Sequence, residues 1–434
     1  MCDKIRLGLT RNRLFEFCNC VCFVGTIKGC FDEGELKKAL KMLSLKYPII
    51  SSKTELTESN GEAYVVLNSV DCEIEFVDTL CEEFVFGKVN DGIDFTRKNF
   101  EFYVVNKNIL CIFAHTTVAD NYFLLTLAAD MMSFYNKNSV SSEPCTPFLF
   151  SELSSIPVKA FTPVTDKLAS ELEVKWSQKS KGFGVDDYKK ARKSFCDAEG
   201  AECSIKTSLD SSVLDKLKAF CEENKMDLSL VVAFCYYDAL CKNNVSDKKH
   251  KKIYFQTNRR SMLSDSYEYI QGAHNGLIEL FTERKNKTKT FDVRLIDFCR
   301  RGYKSFCSVS NNFEKDFFLM NLSSSFCDSA YMNKSGLYKS RISRKLSENH
   351  LCGVGEAGEF AFVNYSQAYW DGLRCFDEIF SSEPLKPRSM TFLQFDYDES
   401  EARLVLKYRD KSMDCKKAES VLNDVKNNIE KVVL

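Results

Sequence analysis

Short runs of alternating apolar and polar residues recur along the chain, and each predicts a β-strand. The first run covers residues 19–31 and leads into Asp32, a residue type that favours the N-cap of a helix. Glu35 stands at the capping-box position three residues later. Leu36 and Leu43 then share one apolar face of the predicted helix.

The same patterns predict the other elements. Strands are expected at residues 63–67, 73–77, 100–105, 109–113, 201–208, 251–257, 276–282, 359–365, 390–397 and 402–408. Helices are expected at residues 121–135, 210–224, 228–242 and 416–432. A stretch rich in Ser and Pro, residues 138–165, is the best candidate for a linker. Because strands and helices are interleaved, the pattern predicts an α/β (α+β) fold.

Composition narrows the possible classes. A chain of 434 residues is long enough for two domains or two lobes of one enzyme. The 60 basic and 61 acidic residues give a net charge of −1, which argues against a dedicated nucleic-acid-binding protein. The hydrophobic share of 44% excludes a wholly disordered chain, because it is ample for a core.

The sequence contains little that indicates membrane targeting or metal binding. No segment approaches the ~20 apolar residues that span a bilayer, and charges near the N-terminus interrupt any signal peptide. We therefore expect a cytoplasmic protein without a membrane span. The 20 cysteines contain no Cys-x-x-Cys pair and accompany only four histidines, so we expect no metal site. Cysteine would act as a small buried hydrophobic residue in a reducing compartment.

The most informative segment follows the predicted strand 109–113 and runs FAHTTVADN from residue 113 to residue 121. A histidine at the end of a buried strand, followed closely by an aspartate, is a common way to place an acid–base group at a cleft. His115 and Asp120 are these two residues.

This segment resembles the chloramphenicol acetyltransferase-like superfamily, whose signature is His-His-x-x-x-Asp-Gly after a hydrophobic strand. The family includes condensation domains and CoA- or carrier-dependent acyltransferases. The likeness extends to KMLSLKYPIISSKTEL, QTNRRSMLSDSYEYIQGAHNGLIEL, FVNYSQ and LVLKYRDKSMD with its following helix. It implies two chloramphenicol acetyltransferase-like lobes with a channel between them. The N-terminal lobe, residues 1–165, would carry the motif, and residues 166–434 would form the C-terminal lobe.

The motif departs from the family pattern at its central position. His115 takes the first His position and Asp120 the Asp position, but Thr116 replaces the catalytic second His and Asn121 replaces Gly. In the family, the second His removes the proton from the hydroxyl or amine that attacks a thioester. A threonine hydroxyl is far too weak a base for this, and loss of a general base costs about 10²–10⁴ in rate.

Other site residues follow from the resemblance. The motif aspartate is mainly structural in the family and pairs with an arginine, which makes Arg259 or Arg260 the expected partner of Asp120. His274, in a Gly-containing segment near the expected cleft, is a second candidate base. Two more residues are expected to line the substrate channel: Asn121 and Asn364.

Three interpretations remain open. The protein transfers an acyl group from a CoA or carrier-protein thioester to an alcohol or amine, using His115 after a one-residue shift, or His274. Alternatively, it is a non-catalytic condensation-like module that recruits a carrier protein or partner enzyme. In the third, His115 is simply a core residue. Because neighbouring strand residues point to opposite faces, His115 would face away from a channel that Thr116 faces.

These interpretations imply no permanently bound cofactor. An acyl-CoA or phosphopantetheine thioester would be the co-substrate, with small-molecule donors and acceptors and a possible carrier protein in trans. The basic run at residues 246–252 could meet CoA phosphates or an acidic carrier, although a solvated loop explains it more simply.

Other motifs give no support to further functions. Residues 353–358 fit G-x-G-x-x-G but precede a predicted strand, which is the wrong context for a dinucleotide site. The absence of nucleophile-elbow, His-Glu-x-x-His and Walker motifs argues against serine hydrolases, zincins and P-loop NTPases.

Overall fold

The computed structural model describes a defined set of residues, and every structural statement below concerns these. They are residues 4–8, 11, 14, 19–57, 61–138, 141–145, 163–178, 182–245, 252–258, 260, 272–273, 275–281, 289–307, 322–348, 360–365, 373, 375–376, 378–382, 391–397 and 402–434.

The described elements alternate along the chain, as the sequence pattern predicts. The strands are β1 (Lys4–Arg6), β2 (Cys20–Thr26), β3 (Lys53–Leu56), β4 (Ala63–Val66), β5 (Ile74–Val77), β6 (Phe100–Val105), β7 (Ile109–His115), β8 (Glu202–Leu209), β9 (Lys252–Asn258), β10 (Asn275–Phe281), β11 (Phe360–Tyr365), β12 (Glu378–Ser382), β13 (Thr391–Tyr397) and β14 (Ala402–Arg409). The helices are α1 (Glu33–Lys46), α2 (Cys81–Asp91), α3 (Asn121–Tyr135), α4 (Pro163–Ser177), α5 (Val185–Glu199), α6 (Ser211–Glu223), α7 (Leu228–Lys242), α8 (Phe291–Cys307), α9 (Ser324–Lys334), α10 (Arg341–Glu348) and α11 (Cys415–Val433).

Aspartate side chains cap the N-termini of several of these helices. Asp32 accepts a hydrogen bond from the amide of Glu35 at 2.8 Å, as expected for an N-cap. The capping box is incomplete, however, because the amide of Asp32 donates to the Tyr135 hydroxyl at 2.9 Å. Asp227 and Asp414 cap α7 and α11 in the same way. These caps satisfy amide groups that a helix start leaves without an intrahelical partner.

The first lobe is built on a five-stranded sheet in the order β12-β2-β7-β6-β5. Helices α1 and α3 cover one face, where Leu40 and Leu124 pack with strand residues such as Ile112. The opposite face carries Cys22 and Phe113, and part of it packs against α2. A smaller sheet in the order β1-β4-β3 lies in the same half of the chain.

The second lobe is built on a six-stranded sheet in the order β10-β9-β11-β13-β14-β8. Four helices, α6, α7, α8 and α11, share one hydrophobic core with this sheet. Helix α7 is buried on nearly every side, which explains why its sequence is apolar throughout. The expected α/β architecture with two lobes is therefore confirmed.

The two lobes also share chain segments. Strand β12 follows β11 of the second sheet, yet it pairs antiparallel with β2 of the first, with Ser382 opposite Cys22. Helices α4, α5 and α9 contribute Trp176, Tyr188 and Phe326 to the core of the first lobe. Segments beyond the predicted boundary at residue 165 thus complete the N-terminal lobe.

Two further expectations concern the whole molecule. No helix within the described ranges is both long and apolar enough to cross a membrane. Cys20, Cys22 and Cys111 are buried among apolar residues of the first sheet. Cysteine at these positions acts as a small core residue.

Candidate functional site

The motif loop, residues 115–121, connects strand β7 to helix α3. His115 is the last residue of β7, and its amide donates to the carbonyl of Asn99 at 2.9 Å. The amide of Thr116 donates to the carbonyl of Asn19 at 2.9 Å, and that of Val118 returns to the carbonyl of His115 at 3.0 Å. The backbone of the loop is therefore anchored to both neighbouring strands before the helix begins.

Asp120 is the residue around which the loop is organised. One of its oxygens, Oδ1, accepts from the amide of Phe123 at 3.0 Å and so caps helix α3. The guanidinium of Arg260 donates to both oxygens, from Nη2 to Oδ1 at 2.8 Å and from Nη1 to Oδ2 at 2.9 Å. Asp120 is 0% exposed and Arg260 4% exposed, so this bidentate pair is shielded from water.

The Asp120–Arg260 pair also connects the two halves of the chain. Arg260 lies two residues beyond β9, and its Nη2 donates to the carbonyl of Gly272 at 2.5 Å. Arg260 is thus the arginine partner that the family resemblance implies. Arg259, the other candidate, lies outside the described residues.

His115 is completely enclosed. Its ring lies edge-on to Phe95 with centroids 5.4 Å apart. The amide of Thr117 donates to Nδ1 at 3.3 Å, and the Thr117 hydroxyl lies 2.8 Å from the same nitrogen. Because an amide can only donate, Nδ1 accepts and the ring proton belongs on Nε2. In the part of the chain that the structure describes, Nε2 has no hydrogen-bond partner.

These surroundings keep the His115 ring neutral. Burial lowers the pKa of His115 from 6.5 to about 3, and the Arg192 guanidinium acts in the same direction, while Asp94 opposes both. A general base works best when its pKa lies near the operating pH. The environment of His115 therefore disfavours proton abstraction at neutral pH.

The remaining predicted site residues occupy different surroundings. Thr116 directly follows β7 and Asn121 is the first residue of α3; both are buried, with exposures of 3% and 0%. Asn364 lies in β11 opposite Phe395 of β13, and its side chain falls outside the described set. His274 is likewise not among the described residues. Within the described ranges, no group of three or more His, Cys, Asp or Glu side chains is arranged to hold a metal ion.

A cavity of about 1120 Å³ lies between the lobes. Its first wall consists of β2, α2 and β12, and its second wall consists of β8, β13, β14 and α11. The residues that line it do not include those of the motif loop. The lobes thus enclose a large space on the face of the first sheet that bears Cys22.

The chain resembles known proteins in its fold but not in its sequence. No protein-family model and no curated protein sequence matches the chain. The condensation domain of the monacolin K polyketide synthase MokA matches with a TM-score of 0.68 and 11% identity, over 99% of this chain and 97% of that one.

The chain has the condensation-domain fold.

Other solved structures agree with this assignment. The epimerization domain from the third module of tyrocidine synthetase B matches with a TM-score of 0.61 and 10% identity, over 99% of this chain and 96% of that one. The X-domain from teicoplanin biosynthesis gives 0.60 and 12%, over 100% and 96%. The fold is that of the chloramphenicol acetyltransferase-like superfamily, as the motif resemblance implied. Identities this low identify a fold and not an activity.

A second buried ion pair in this condensation-domain fold was not evident from the sequence. Arg11 contacts both carboxylate oxygens of Asp328 in α9, with Nη2 to Oδ2 at 2.6 Å. Its Nη2 also donates to the Tyr188 hydroxyl at 2.8 Å, and its Nε to the carbonyl of Gly61 at 2.7 Å. The pair joins the N-terminal segment to α5 and α9. No sequence pattern predicts this pair, because Arg11 and Asp328 are single charged residues that lie far apart along the chain.

Proposed function

We propose that this protein is a non-catalytic condensation-like binding module, which engages an acyl thioester on a carrier protein and recruits that carrier in trans. The observation that carries the proposal is the state of His115. It is the motif histidine, yet it is fully buried and held neutral. Thr116 occupies the position of the family's proton acceptor.

The chemistry of transfer explains why this matters. An alcohol or amine that attacks a thioester must lose a proton, and a positioned base contributes about 10²–10⁴ in rate. A threonine hydroxyl cannot accept that proton at neutral pH. The imidazole of His115, with its pKa near 3, is a poor substitute. A chain that keeps the fold without a competent base at the motif is suited to binding.

The Asp120–Arg260 pair supports the same conclusion. It keeps the loop and the start of α3 in place through buried, charge-assisted hydrogen bonds. These contacts shape the scaffold whether or not a base is present. A binding role requires this shape, and it makes no demand on the residue at position 116.

Acyl transfer from CoA or a carrier thioester to an alcohol or amine is the second candidate function. One contact favours it: Arg260 binds the carbonyl of Gly272, which lies two residues before His274 along the chain. The backbone at Gly272 is therefore tied to the motif loop through Arg260. In this candidate function, His274 would be the general base and Asp120 would only position the loop.

The test compares binding with turnover on the full chain. Octanoyl-CoA and octanoyl-pantetheine are titrated by calorimetry, and each is then incubated with simple amine and alcohol acceptors. Free CoA or pantetheine is measured by chromatography, because the 20 cysteines of the chain would react with a thiol reagent. We expect saturable binding of the thioesters and release no faster than in buffer.

Each alternative outcome has a defined meaning. Thioester turnover above the buffer rate that falls at least about tenfold in His274→Ala would replace the binding proposal with acyl transfer. Turnover lost in His115→Gln instead would identify His115 as the base. Absence of binding for both thioesters, and for an acylated carrier protein, would overturn the binding module.

A further inference from the structure

The cavity between the lobes contains a buried carboxylate with an unused acceptor. Asp396 of β13 is 5% exposed and lines the cavity. Its Oδ2 accepts from the Gln394 side-chain amide at 2.8 Å. Its other oxygen, Oδ1, is buried and has no hydrogen-bond partner among the described residues. An unpaired buried acceptor carries a large desolvation cost, so it marks a place where a donor would be bound favourably.

Two cations, Arg403 and Lys407, act on the pKa of Asp396, but both contact other groups. Arg403, its cross-strand partner on β14, donates from Nη1 to the carbonyl of Ile379 at 3.3 Å. Lys407 pairs with Glu202 across β8 and β14 at 3.2 Å, and both side chains are buried. Neither cation forms an ion pair with Asp396 in the described structure. The carboxylate therefore lacks a cationic partner of its own.

The charges around the cavity favour a cationic occupant. Among the residues that line it, carboxylates outnumber cations by six to three. The carboxylates are Glu82, Glu83, Glu202, Glu378, Asp396 and Glu419, and the cations are Lys206, Arg403 and Lys407. Lys206 is itself 3.9 Å from Glu82. A negative cleft with low-dielectric walls concentrates positively charged molecules.

The rest of the lining is apolar. Val24 of β2, Val85 and Phe86 of α2, Phe380 of β12 and Val405 of β14 all face the space. Its volume of about 1120 Å³ slightly exceeds the range of about 300–1,000 Å³ that is typical of small-molecule sites. An occupant would need an apolar body to cover these side chains.

We propose that this cavity binds a small molecule that carries a protonated amine on an apolar body, with the ammonium paired with the carboxylate of Asp396. The site is separate from the motif loop, and no part of the inference depends on acyl transfer. The ammonium would supply a hydrogen-bond donor and a direct ion pair, and neither Arg403 nor Lys407 forms an ion pair with this carboxylate among the described residues.

The electrostatics of Asp396 agree with this assignment. Burial raises the pKa of Asp396 to about 7, although Gln394, Arg403 and Lys407 each act to lower it. A bound ammonium would favour the ionised carboxylate and so lower this pKa. A bound cation would thus offset part of the free-energy cost of burying the ionised carboxylate.

The test uses octylammonium, titrated into the full chain by calorimetry at about pH 8, where Asp396 is ionised. Octanoate and 1-octanol carry the same chain without a cation, and octyltrimethylammonium has the charge without an N–H donor. We expect octylammonium to bind with a Kd below about 1 mM. The three analogues should bind at least about tenfold more weakly, because each lacks the charge or the donor.

Variants test the carboxylate directly. Asp396→Asn should weaken octylammonium binding about tenfold or more. The matched control Glu83→Gln, which changes another carboxylate of the lining, should stay within about twofold. Equal binding by wild type and Asp396→Asn, or by octylammonium and 1-octanol, would overturn the proposal. If Asp396→Asn does not fold, the comparison of octylammonium with octyltrimethylammonium on the wild type decides alone.

Discussion

Asp120 and Arg260 lie 140 positions apart in the chain and form a bidentate ion pair, with N–O distances of 2.8 and 2.9 Å. The carboxylate also caps helix α3, so a single side chain fixes the helix start and links the loop to the second half of the chain. Removal of either partner would leave a buried charge without compensation.

Replacement of Arg260 should therefore destabilise the protein strongly. We expect Arg260→Ala to lower the free energy of unfolding by about 3–5 kcal/mol in urea denaturation. Arg260→Lys should recover only part of this, because one ammonium cannot reproduce the planar fork. Lys38→Ala, which removes an exposed pair with Glu35, should leave the free energy of unfolding nearly unchanged. An Arg260→Ala variant as stable as Lys38→Ala would contradict the buried pair.

The pKa of His115 can be measured directly. We expect its imidazole NMR signals to stay at neutral-form values from about pH 8 down to about pH 5, because burial places the pKa near 3. Titration with a midpoint between about 6 and 7 would show an accessible imidazole and restore His115 as a candidate base.

The same pKa makes stability depend on pH. An unfolded histidine has a pKa near 6.5, so between about pH 6.5 and pH 3 it binds a proton while the folded His115 stays neutral. The folded state therefore loses stability as the pH falls through this range. The slope is up to about 1.4 kcal/mol per pH unit. We expect His115→Gln to flatten the curve of unfolding free energy against pH in this range. An unchanged slope would mean that His115 binds protons equally well in the folded and unfolded states.

A histidine at position 116 tests the binding proposal by gain of function. If the motif lacks only its base, Thr116→His should raise free-CoA release from octanoyl-CoA above the wild-type level, by up to about 10²-fold. Thr116→Val, which is nearly the same size as threonine, should not. Loss of turnover in Thr116→His relative to an active wild type would show that the base lies elsewhere.

The Arg11–Asp328 pair predicts non-additive mutational effects. Arg11→Met should cost about 3–5 kcal/mol, since Asp328 then stays buried and unpaired. The double variant Arg11→Met/Asp328→Leu should be more stable than Arg11→Met alone, because it removes the stranded charge. Tyr188→Phe, which deletes one hydroxyl, should cost about 1 kcal/mol. Additive losses in the double variant would argue against direct coupling of the two charges.

Asp396 has the opposite pH signature to His115. Its folded pKa of about 7 lies above the value of about 3.9 in an unfolded chain, so the folded state loses stability as pH rises between these values. Asp396→Asn should remove this loss and gain on the order of 2 kcal/mol over wild type between about pH 5 and pH 8. Glu378→Gln, at an exposed position of the same cavity, should keep the wild-type profile.

Local patterns predicted the elements that carry strong periodicity or caps. Strands β6 and β7 and helices α1, α3, α7 and α11 occur where the sequence indicated them. Other elements gave little signal. Among its described side chains α2 buries only Val89, and the five residues of β12 contain nothing that selects one sheet over the other. Helix α4 begins at Pro163, inside the predicted linker, and neither α4 nor α5 is predicted by the sequence pattern.

The candidate functional site was also predictable only in part, because local sequence patterns do not show which side chains become buried together. The Asp120–Arg260 contact was expected because a family resemblance supplied the partner. Burial of His115 and the open acceptor of Asp396 depend on tertiary packing, which no local pattern encodes. Single charged residues such as Arg11 look the same in sequence whether they face solvent or a buried carboxylate.

Strand β12 has a consequence for the independence of the two halves. If residues 1–165 were expressed alone, β2 would lose its outer neighbour and present a row of unsatisfied amides and carbonyls. Such a fragment would tend to self-associate through that open border. The C-terminal half therefore protects the border of the first sheet, and we expect the N-terminal half to need that strand to remain monomeric.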